Sequence, residues 1–356
     1  LRADPALGPR RARAMTAGAA GQGVGPASLR PAPVRPIEGL PFTAPALLAP
    51  MEGVTDPCFR DLLFARQGPA HLGGATTEFL RVVDHARGAR QIEASLGPRR
   101  WPQPVALQLM GNHGPAMADT ARRARDLGVP LIDLNFGCPA KGALRSCAGS
   151  ALLARPAELE ALVRTVAAAV PELPVSAKLR AGVDHARDVE SLVRAAEAGG
   201  ARLVTLHCRT RQEGYCEEVD WQRLARAAAA VRVPVCGNGG VASHGDLERL
   251  RRETGCALVM VGRAALADPW IFSGESVPRE RAAEFLLEYW ATLIERGGAG
   301  PSGALARSKQ LFHFFRAGGL IQDQRSAWLR ARDPDSVHST LARIAAGSPE
   351  THPPAA

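Results

Sequence analysis

The stretch LIDLNFGCPAKGALRSCAGSALL, residues 131–153, decides how this chain is to be read. Its opening run, Leu131-Ile132-Asp133-Leu134, is mostly apolar and reads as a buried strand. The strand stops at Asn135-Phe136-Gly137-Cys138-Pro139, where Gly137 and Pro139 force a turn. Asn135 and Cys138 are therefore presented at a strand's C-terminal end, and Lys141 follows at once. The remainder is a loop leading through Ser150 to a helix opened by Pro156. A single cysteine in apolar surroundings is more often inert packing than chemistry. The case for chemistry at Cys138 rests on its place at a strand end, beside an amide and an ammonium.

The same pattern recurs along the chain. Short apolar runs fall at 46–51, 71–77, 105–110, 131–136, 175–179, 203–207, 235–238 and 258–261. Amphipathic segments of helical length lie between them, among them 157–170, 188–198 and 244–254. Strand–helix units at roughly thirty-residue spacing predict an α/β fold, a (β/α)8 TIM barrel over residues 41–275. The competing fold is a doubly wound open sheet. No G-x-G-x-x-G follows the first strand, which counts against its dinucleotide-binding form.

A barrel gathers its reactive groups at the C-terminal ends of its strands. Polar residues stand there in turn: Pro50, Met51 and Glu52 after the first strand, Thr77 and Glu78 with Arg81 after the second, Gln108 in the third. Asn135 and Cys138 follow from the fourth, Lys178 from the fifth, His207 from the sixth, and Asn238, Gly239 and Gly240 from the seventh. Gly262 and Arg263 close the eighth. Glycine-rich turns after the last two strands let backbone N–H groups approach an anion, and Arg263 adds a charged fork. A phosphate there, with Gln108 and Lys178 nearby, suits flavin mononucleotide (FMN).

Residues 276–356 carry no strand pattern. Helical periodicity at 279–295, 304–316, 324–331 and 336–344 predicts a small all-helical C-terminal domain. Arg307, Lys309, His313 and Arg316 crowd its second helix. Residues 1–40 are rich in Ala, Arg, Pro and Gly without period, and read as a disordered extension. They lack the apolar core of a signal peptide but share the Arg-rich, acid-poor character of an organellar transit sequence. A misread start, with Met15 or a later residue as the true beginning, is the other expectation.

Composition sets bounds on function. No window approaches a membrane span, so no membrane partner is expected. The seven cysteines are scattered with no metal-ligand spacing; they read as reduced and cytoplasmic, with no bound metal. Four units of the net charge of +9 come from the N-terminal tail, where six Arg face two acids. It permits an acidic partner such as nucleic acid without demanding one. Lysine occurs only at 141, 178 and 309, so each invites the question of why arginine would not serve.

Seven motifs, APMEGVTD, TEFLRVVD, DLNFGCPAK, AKLRAG, LHCRTRQEGY, GNGGV and MVGRAAL, resemble in order and spacing those of the tRNA-dihydrouridine synthases. TEFLRVVD, DLNFGCPAK and RTRQEGY are most similar to the bacterial branch acting on uridine 16 of the D-loop. The resemblance implies an FMN enzyme that reduces the C5–C6 double bond of a tRNA uridine with NADPH as donor. It implies that Cys138 is the catalytic acid, and that Pro50, Met51, Glu52, Gln108, Lys178, His207, Asn238, Gly239, Gly240, Gly262 and Arg263 bind the cofactor. Asn135 and Tyr215 would touch tRNA, and Arg81, Arg307 and Lys309 would govern which uridine is presented. A thiol with a pKa near ~8.5 is protonated at neutral pH and can deliver a proton to C5 after hydride reaches C6. A uracil stacked in tRNA must be turned out to reach a barrel mouth, with Arg and Lys of the helical domain holding phosphates. A monomer is expected.

The sequence departs from the family pattern at three places: Cys147 where glycine is common, Ala143-Leu144 in place of Val-Asn, and Cys208 where glycine follows the strand-six histidine. Two other functions stay open. One is a barrel flavoprotein acting on a free pyrimidine, as a dihydroorotate dehydrogenase does, against which the helical domain counts. The other is a tRNA-binding protein without chemistry, which would purify colourless.

Overall fold

The nine strands of the computed structural model are all parallel and almost wholly buried. They are β1 (Ala46–Leu48), β2 (Gly74–Thr76), β3 (Leu80–Arg81), β4 (Val105–Met110), β5 (Ile132–Phe136), β6 (Val175–Arg180), β7 (Leu203–His207), β8 (Val235–Asn238) and β9 (Leu258–Val261). The structure describes residues 37–214 and 219–348. The reading of 1–40 as disordered therefore falls, but for its last residues, outside the described residues.

Hydrogen bonding runs β2-β1-β9-β8-β7-β6-β5-β4, and pairing of Ala75 with Val105 and Thr76 with Ala106 closes the ring. Eight strands thus make the expected barrel. The second strand differs from the reading. It is cut short after Thr76 and resumes as β3, whose Leu80 and Arg81 pair with Leu109 and Met110 of β4. Glu78, between the two pieces, accepts a hydrogen bond from the Gly53 N–H, so the chain steps aside to serve the neighbouring loop. At Gly73 a Cβ would sit 1.9 Å from the Ala44 carbonyl oxygen, so only glycine admits the close approach that starts β2. The first strand is also shorter than read, ending at Leu48, because residues 50–53 turn across the barrel mouth.

Helices α1 (Pro57–Arg66), α2 (Ala89–Leu96), α3 (Gly114–Asp126), α4 (Lys141–Arg145), α5 (Pro156–Ala169), α6 (Val189–Ala198), α7 (Gln222–Ala230), α8 (Gly245–Thr254) and α9 (Arg263–Ala267) connect the strands. Their starts follow local chemistry. Asp56 caps the first turn of α1 through the Phe59 N–H, and proline occupies an opening position of α1 and α5, where no N–H is missed. Past the barrel come α10 (Arg279–Glu295), α11 (Pro301–Phe312), α12 (Arg325–Arg330) and α13 (Pro334–Ala345). The first matches the expected span. The second starts and ends earlier, because Pro301 can open a helix. Among the described residues no helix is long and apolar enough to cross a membrane.

Asp56 also fastens the helices to the barrel. This buried carboxylate accepts from the Tyr289 hydroxyl at 3.1 Å and from the Arg307 guanidinium. Asp61, one turn on, accepts from Arg296 at 2.7 Å, from both Arg100 donors and from the Trp101 indole. Phe59 sits edge-on to Phe285 and Tyr289 between these pairs. Arg307 is therefore committed to the barrel rather than presented with its neighbours. Lys309 is half-buried, and His313 and Arg316 are exposed. The basic cluster read on this helix divides because 307 lies on a different side from 309, 313 and 316.

Among the described residues Cys147 is the one non-glycine with positive φ, at +50°. A left-handed residue with a Cβ costs about 1–2 kcal/mol, which accounts for glycine at this place in the resembling family. Replacing Cys147 by glycine relieves that strain but adds freedom to the unfolded chain worth about 0.4–1 kcal/mol. Cys147→Gly is expected to stabilise the protein by about 0.5–1 kcal/mol, read from the midpoint of urea unfolding. Asp56→Ala removes a helix cap and leaves a buried hydroxyl and an arginine without their acceptor. It is expected to cost about 3 kcal/mol in the same measurement, against less than about 1 kcal/mol for loss of the exposed pair Arg155–Glu158.

Candidate active site

The strand C-termini open into a cavity of about 680 Å³. Its lining contains Pro50, Met51, Glu52, Gln108, Asn135, Cys138, Lys178, His207, Asn238, Gly239, Gly240, Gly262 and Arg263, that is, Cys138, Asn135 and all eleven residues read as cofactor contacts. Of the remaining sites, Arg81, Arg307 and Lys309 do not line the cavity, and Tyr215 lies outside the described residues. Lining residues that the reading did not assign to the site include Glu78, Phe79, Arg180, Arg209, Gln310 and Phe314. Gln310 belongs to α11 and Phe314 follows it, so the helical segment helps form the cavity's wall. Arg180 was legible within AKLRAG. The approach of Gln310 and Phe314 was not, because it depends on how α11 docks.

Asn135, at the end of β5, accepts from the N–H groups of Gly137 (3.0 Å) and Cys138 (2.9 Å). Both bonds wind the chain after the strand into a tight turn. Asn135 Nδ2 donates to Gln108 Oε1 at 2.7 Å. The residue read as a tRNA contact thus spends its polar atoms within the protein as well. Gly149 lies on the far side of the loop at φ +58°, with Ser150 N–H bound to the Cys138 carbonyl at 3.0 Å. A Cβ at 149 would lie 2.9 Å from that carbonyl oxygen and 3.2 Å from Cys138 Cβ, so the return of the loop over the thiol requires glycine.

Two arginines clasp the same loop. Arg180 donates to Gly137 O at 2.9 Å and to Thr210 O and Gly214 O at 3.2 Å each, tying the Cys138 turn to the loop after β7. Arg81, read as setting tRNA orientation, donates to Gly142 O at 3.3 Å and Ser146 Oγ at 3.2 Å. It therefore touches α4 and the loop beyond Cys138.

The thiol of Cys138 is half-buried, and burial pushes its pKa above the ordinary thiol value. The N–H of Ala140 and the charges of Arg180 and Arg81 oppose that rise, while Glu52 adds to it. The net direction keeps the sulfur protonated at neutral pH. Lys178, half-buried opposite, donates to Asn238 Oδ1 at 3.1 Å. Burial lowers its pKa to about 8, helped by repulsion from Arg180 and opposed by Asp133. His207 is buried among cations, and burial first, then Lys178, Arg180, Arg209 and Arg263, hold its pKa well below the usual value. It is neutral, and because its Nδ1 accepts from the Arg209 N–H at 3.2 Å its proton sits on Nε2.

The glycine corner differs from ordinary turns. Gly239 and Gly240 have φ of +104° and +80°, and a Cβ on either would strike neighbours, Cys208 Sγ at 2.8 Å for Gly239 and Val219 Cγ1 at 2.5 Å for Gly240. Cys208 is wholly buried there, filling the space that a glycine at 208 would leave beside Gly239. At Gly262 a Cβ would meet only ordinary contacts with Met51 and Ala49. Bare backbone and Arg263 together offer an anion an unobstructed wall.

Known proteins carry the same pattern. The sequence model of the dihydrouridine synthase (Dus) family matches residues 47–327. The tRNA-dihydrouridine(16) synthase of Cupriavidus necator is 41% identical over 231 residues, covering 63% of this chain and 71% of that protein. That of Ralstonia nicotianae is 40% identical over 232 residues, 63% of this chain and 70% of its own. A probable tRNA-dihydrouridine synthase of Rhodobacter capsulatus is 32% identical over 323 residues, 86% of this chain and 96% of its own. The match runs from β1 into α12, through the barrel and onto the helices that wall its mouth, and the chain belongs to the dihydrouridine synthase family.

Proposed function

We propose that the protein reduces uridine 16 of the tRNA D-loop to 5,6-dihydrouridine, with FMN as resident cofactor and NADPH as electron donor. Membership of the family makes the chain an oxidoreductase acting on tRNA. The choice of uridine 16 is supported by the names of the relatives at 40% and 41% identity. The observation that carries the reading is the protonated Cys138 thiol on the wall of a cavity that ends in the Gly239–Gly240–Arg263 corner.

The residues present fit FMN. The corner suits its phosphate, since side chains are excluded at 239 and 240 and Arg263 adds charge. Gln108, Lys178 and Asn238 suit the polar edge of its ring, and neutral His207 offers an Nε2–H donor without adding positive charge. Pro50, Met51 and Glu52 close the other wall. When bound, FMN supplies hydride to C6 of the uracil. Lys178 stabilises the negative charge that the reduced cofactor carries. Cys138 holds the proton required at C5, and the Asn135 turn keeps the thiol in place. Phe79 and Phe314 bring apolar surface to the mouth, where a base leaving its stack could rest. In this reading Lys309, His313, Arg316 and Arg81 meet phosphates, whereas Arg307 acts through Asp56.

In a deletion strain, dihydrouridine should vanish at position 16 and return with the wild-type gene but not with Cys138→Ala. Unchanged dihydrouridine in the deletion strain overturns the assignment. Purified Cys138→Ala should retain its flavin while kcat falls by about 10²–10⁴, the usual contribution of a placed proton donor. The low pKa of Lys178 makes a second prediction. Below pH 8 the empty site already holds the ammonium that FMN requires. Above it the free protein has lost that proton, so binding must take one up. FMN affinity should be level from pH 7 to 8 and then fall as pH rises, by at most about tenfold per unit, with Lys178→Met showing no such decline. Quenching of flavin fluorescence measures this.

A further inference from the structure

Three buried side chains lie at one level inside the barrel. Asp133 on β5 is in register with Gln108 on β4 and with Ser176 on β6. Their exposures are 3%, 0% and 1%. Ser176 Oγ donates to Asp133 Oδ1 at 2.5 Å, and Asp133 Oδ2 accepts from Gln108 Nε2 at 2.7 Å. Gln108 Oε1 then accepts from Asn135 Nδ2 at 2.7 Å, and Asn135 Oδ1 accepts from the N–H groups of Gly137 and Cys138.

The two amides in this chain present a choice that shape cannot make. The oxygen and nitrogen ends of a carboxamide are nearly equal in size, so either could face either neighbour. Hydrogen-bond polarity decides instead. An ionised carboxylate only accepts, so Gln108 must turn its NH2 toward Asp133. That leaves its oxygen for Asn135, which must answer with its own NH2, and the Asn135 oxygen is then the atom facing the loop. If either amide were reversed, a donor would face a donor among side chains that are almost fully buried. Such a mismatch costs more than the bond itself is worth.

We propose that Asp133 is a positioning residue for the reaction: by fixing the polarity of the Gln108–Asn135 pair, it directs two hydrogen bonds onto the turn that carries the Cys138 thiol. This rests on the reading of Cys138 as the proton donor. Burial raises the Asp133 pKa to about 6, against the opposing bonds from Gln108 and Ser176, so the carboxylate is ionised and acceptor-only at neutral pH. Asp133 opens the motif DLNFGCPAK, but the sequence assigned it no role, since it stands in the middle of an apolar strand. Its own contact is with Gln108 and Ser176, and it reaches the thiol only through the two amides.

The test measures alkylation of each cysteine in the purified holoenzyme with iodoacetamide, followed by peptide mass spectrometry. It needs no tRNA, so it can succeed even if the assignment of the substrate fails. Exposed Cys147 is the reference, and buried Cys208, Cys236 and Cys256 report on the fold. Asp133→Leu should raise the Cys138 rate relative to Cys147 by about tenfold, the factor that ~1.4 kcal/mol of lost loop order produces. Asp133→Asn should stay near wild type, because its amide oxygen can still face Gln108 while its NH2 faces the Ser176 hydroxyl. Gln108→Leu cuts the chain at the next link and should reproduce the rise, and the double variant should add nothing to it. In turnover with tRNA the same variants should lose kcat with little change in KM. Wild-type labelling of Cys138 in Asp133→Leu, with the buried cysteines still protected, overturns the proposal. So does an Asp133→Asn rate as high as that of Asp133→Leu, which would make charge the operative property. If Asp133→Leu exposes the buried cysteines, Gln108→Leu decides: an unchanged Cys138 rate there rejects the proposal.

Discussion

A polar side chain inside a closed barrel has no water to turn to, and each one placed there must find its partner across the register of the strands. In this protein that constraint organises the catalytic end. Parallel pairing sets Gln108 beside Asp133, Asp133 beside Ser176, Asn135 beside Lys178, and His207 beside Asn238. Gln108, Asp133, Ser176, Asn135, Lys178 and Asn238 each bond to another of the set, and Asn238 Nδ2 also donates to the Met260 carbonyl at 2.8 Å. Hydrogen bonds therefore link β4, β5 and β6 in one group and β6, β8 and β9 in another around the inner wall. The orientation of the amides in the first group is not a local choice, since turning one sets its neighbour wrong.

The helical segment obeys a related constraint on the outside. Asp56 at the cap of α1 and Asp61 within it are buried carboxylates, and they are satisfied largely by arginines and a tyrosine from α10, α11 and the loop between them. Breaking such a pair strands a charge, so the helices cannot swing away without cost. Asp56 is also close in sequence to the turn at residues 50–53 that lines the cavity. Anchoring α11 there brings Gln310 to within 3.6 Å of the position a Gly53 Cβ would take. The helical segment is thus fixed to the same loop that lines the cavity, which sets the distance between α11 and the cavity's wall.

The architecture was legible because strands buried on both faces read as continuous apolar runs, and the positions of all eight could be marked within a few residues. The site was legible for a related reason: a barrel maps position along a strand onto position in space, so residues at strand ends converge without any tertiary knowledge. What escaped depends on long-range pairing. β3 is two residues long and exists because β4 offers free edge beyond β2. The commitment of Arg307 follows from a partner 251 positions away in sequence. Asp133 was hidden by its surroundings, since one carboxylate in an apolar strand shows its meaning only when the neighbouring strands are in register.

The chemistry of Cys138 turns on how its two nearby arginines are used. A cation beside a thiol ordinarily favours the thiolate, which makes a nucleophile and not a proton donor. Arg180 and Arg81 do pull the pKa down, but burial is the larger influence and the net shift is upward. Their guanidinium groups donate to carbonyl and hydroxyl oxygens of the surrounding loops, so their charge acts on the sulfur from a distance while their geometry holds the turn. The clasp can therefore be strong without converting the thiol into a thiolate. An arginine moved one turn closer to the sulfur would favour the thiolate and forfeit the proton that the proposed role of Cys138 needs.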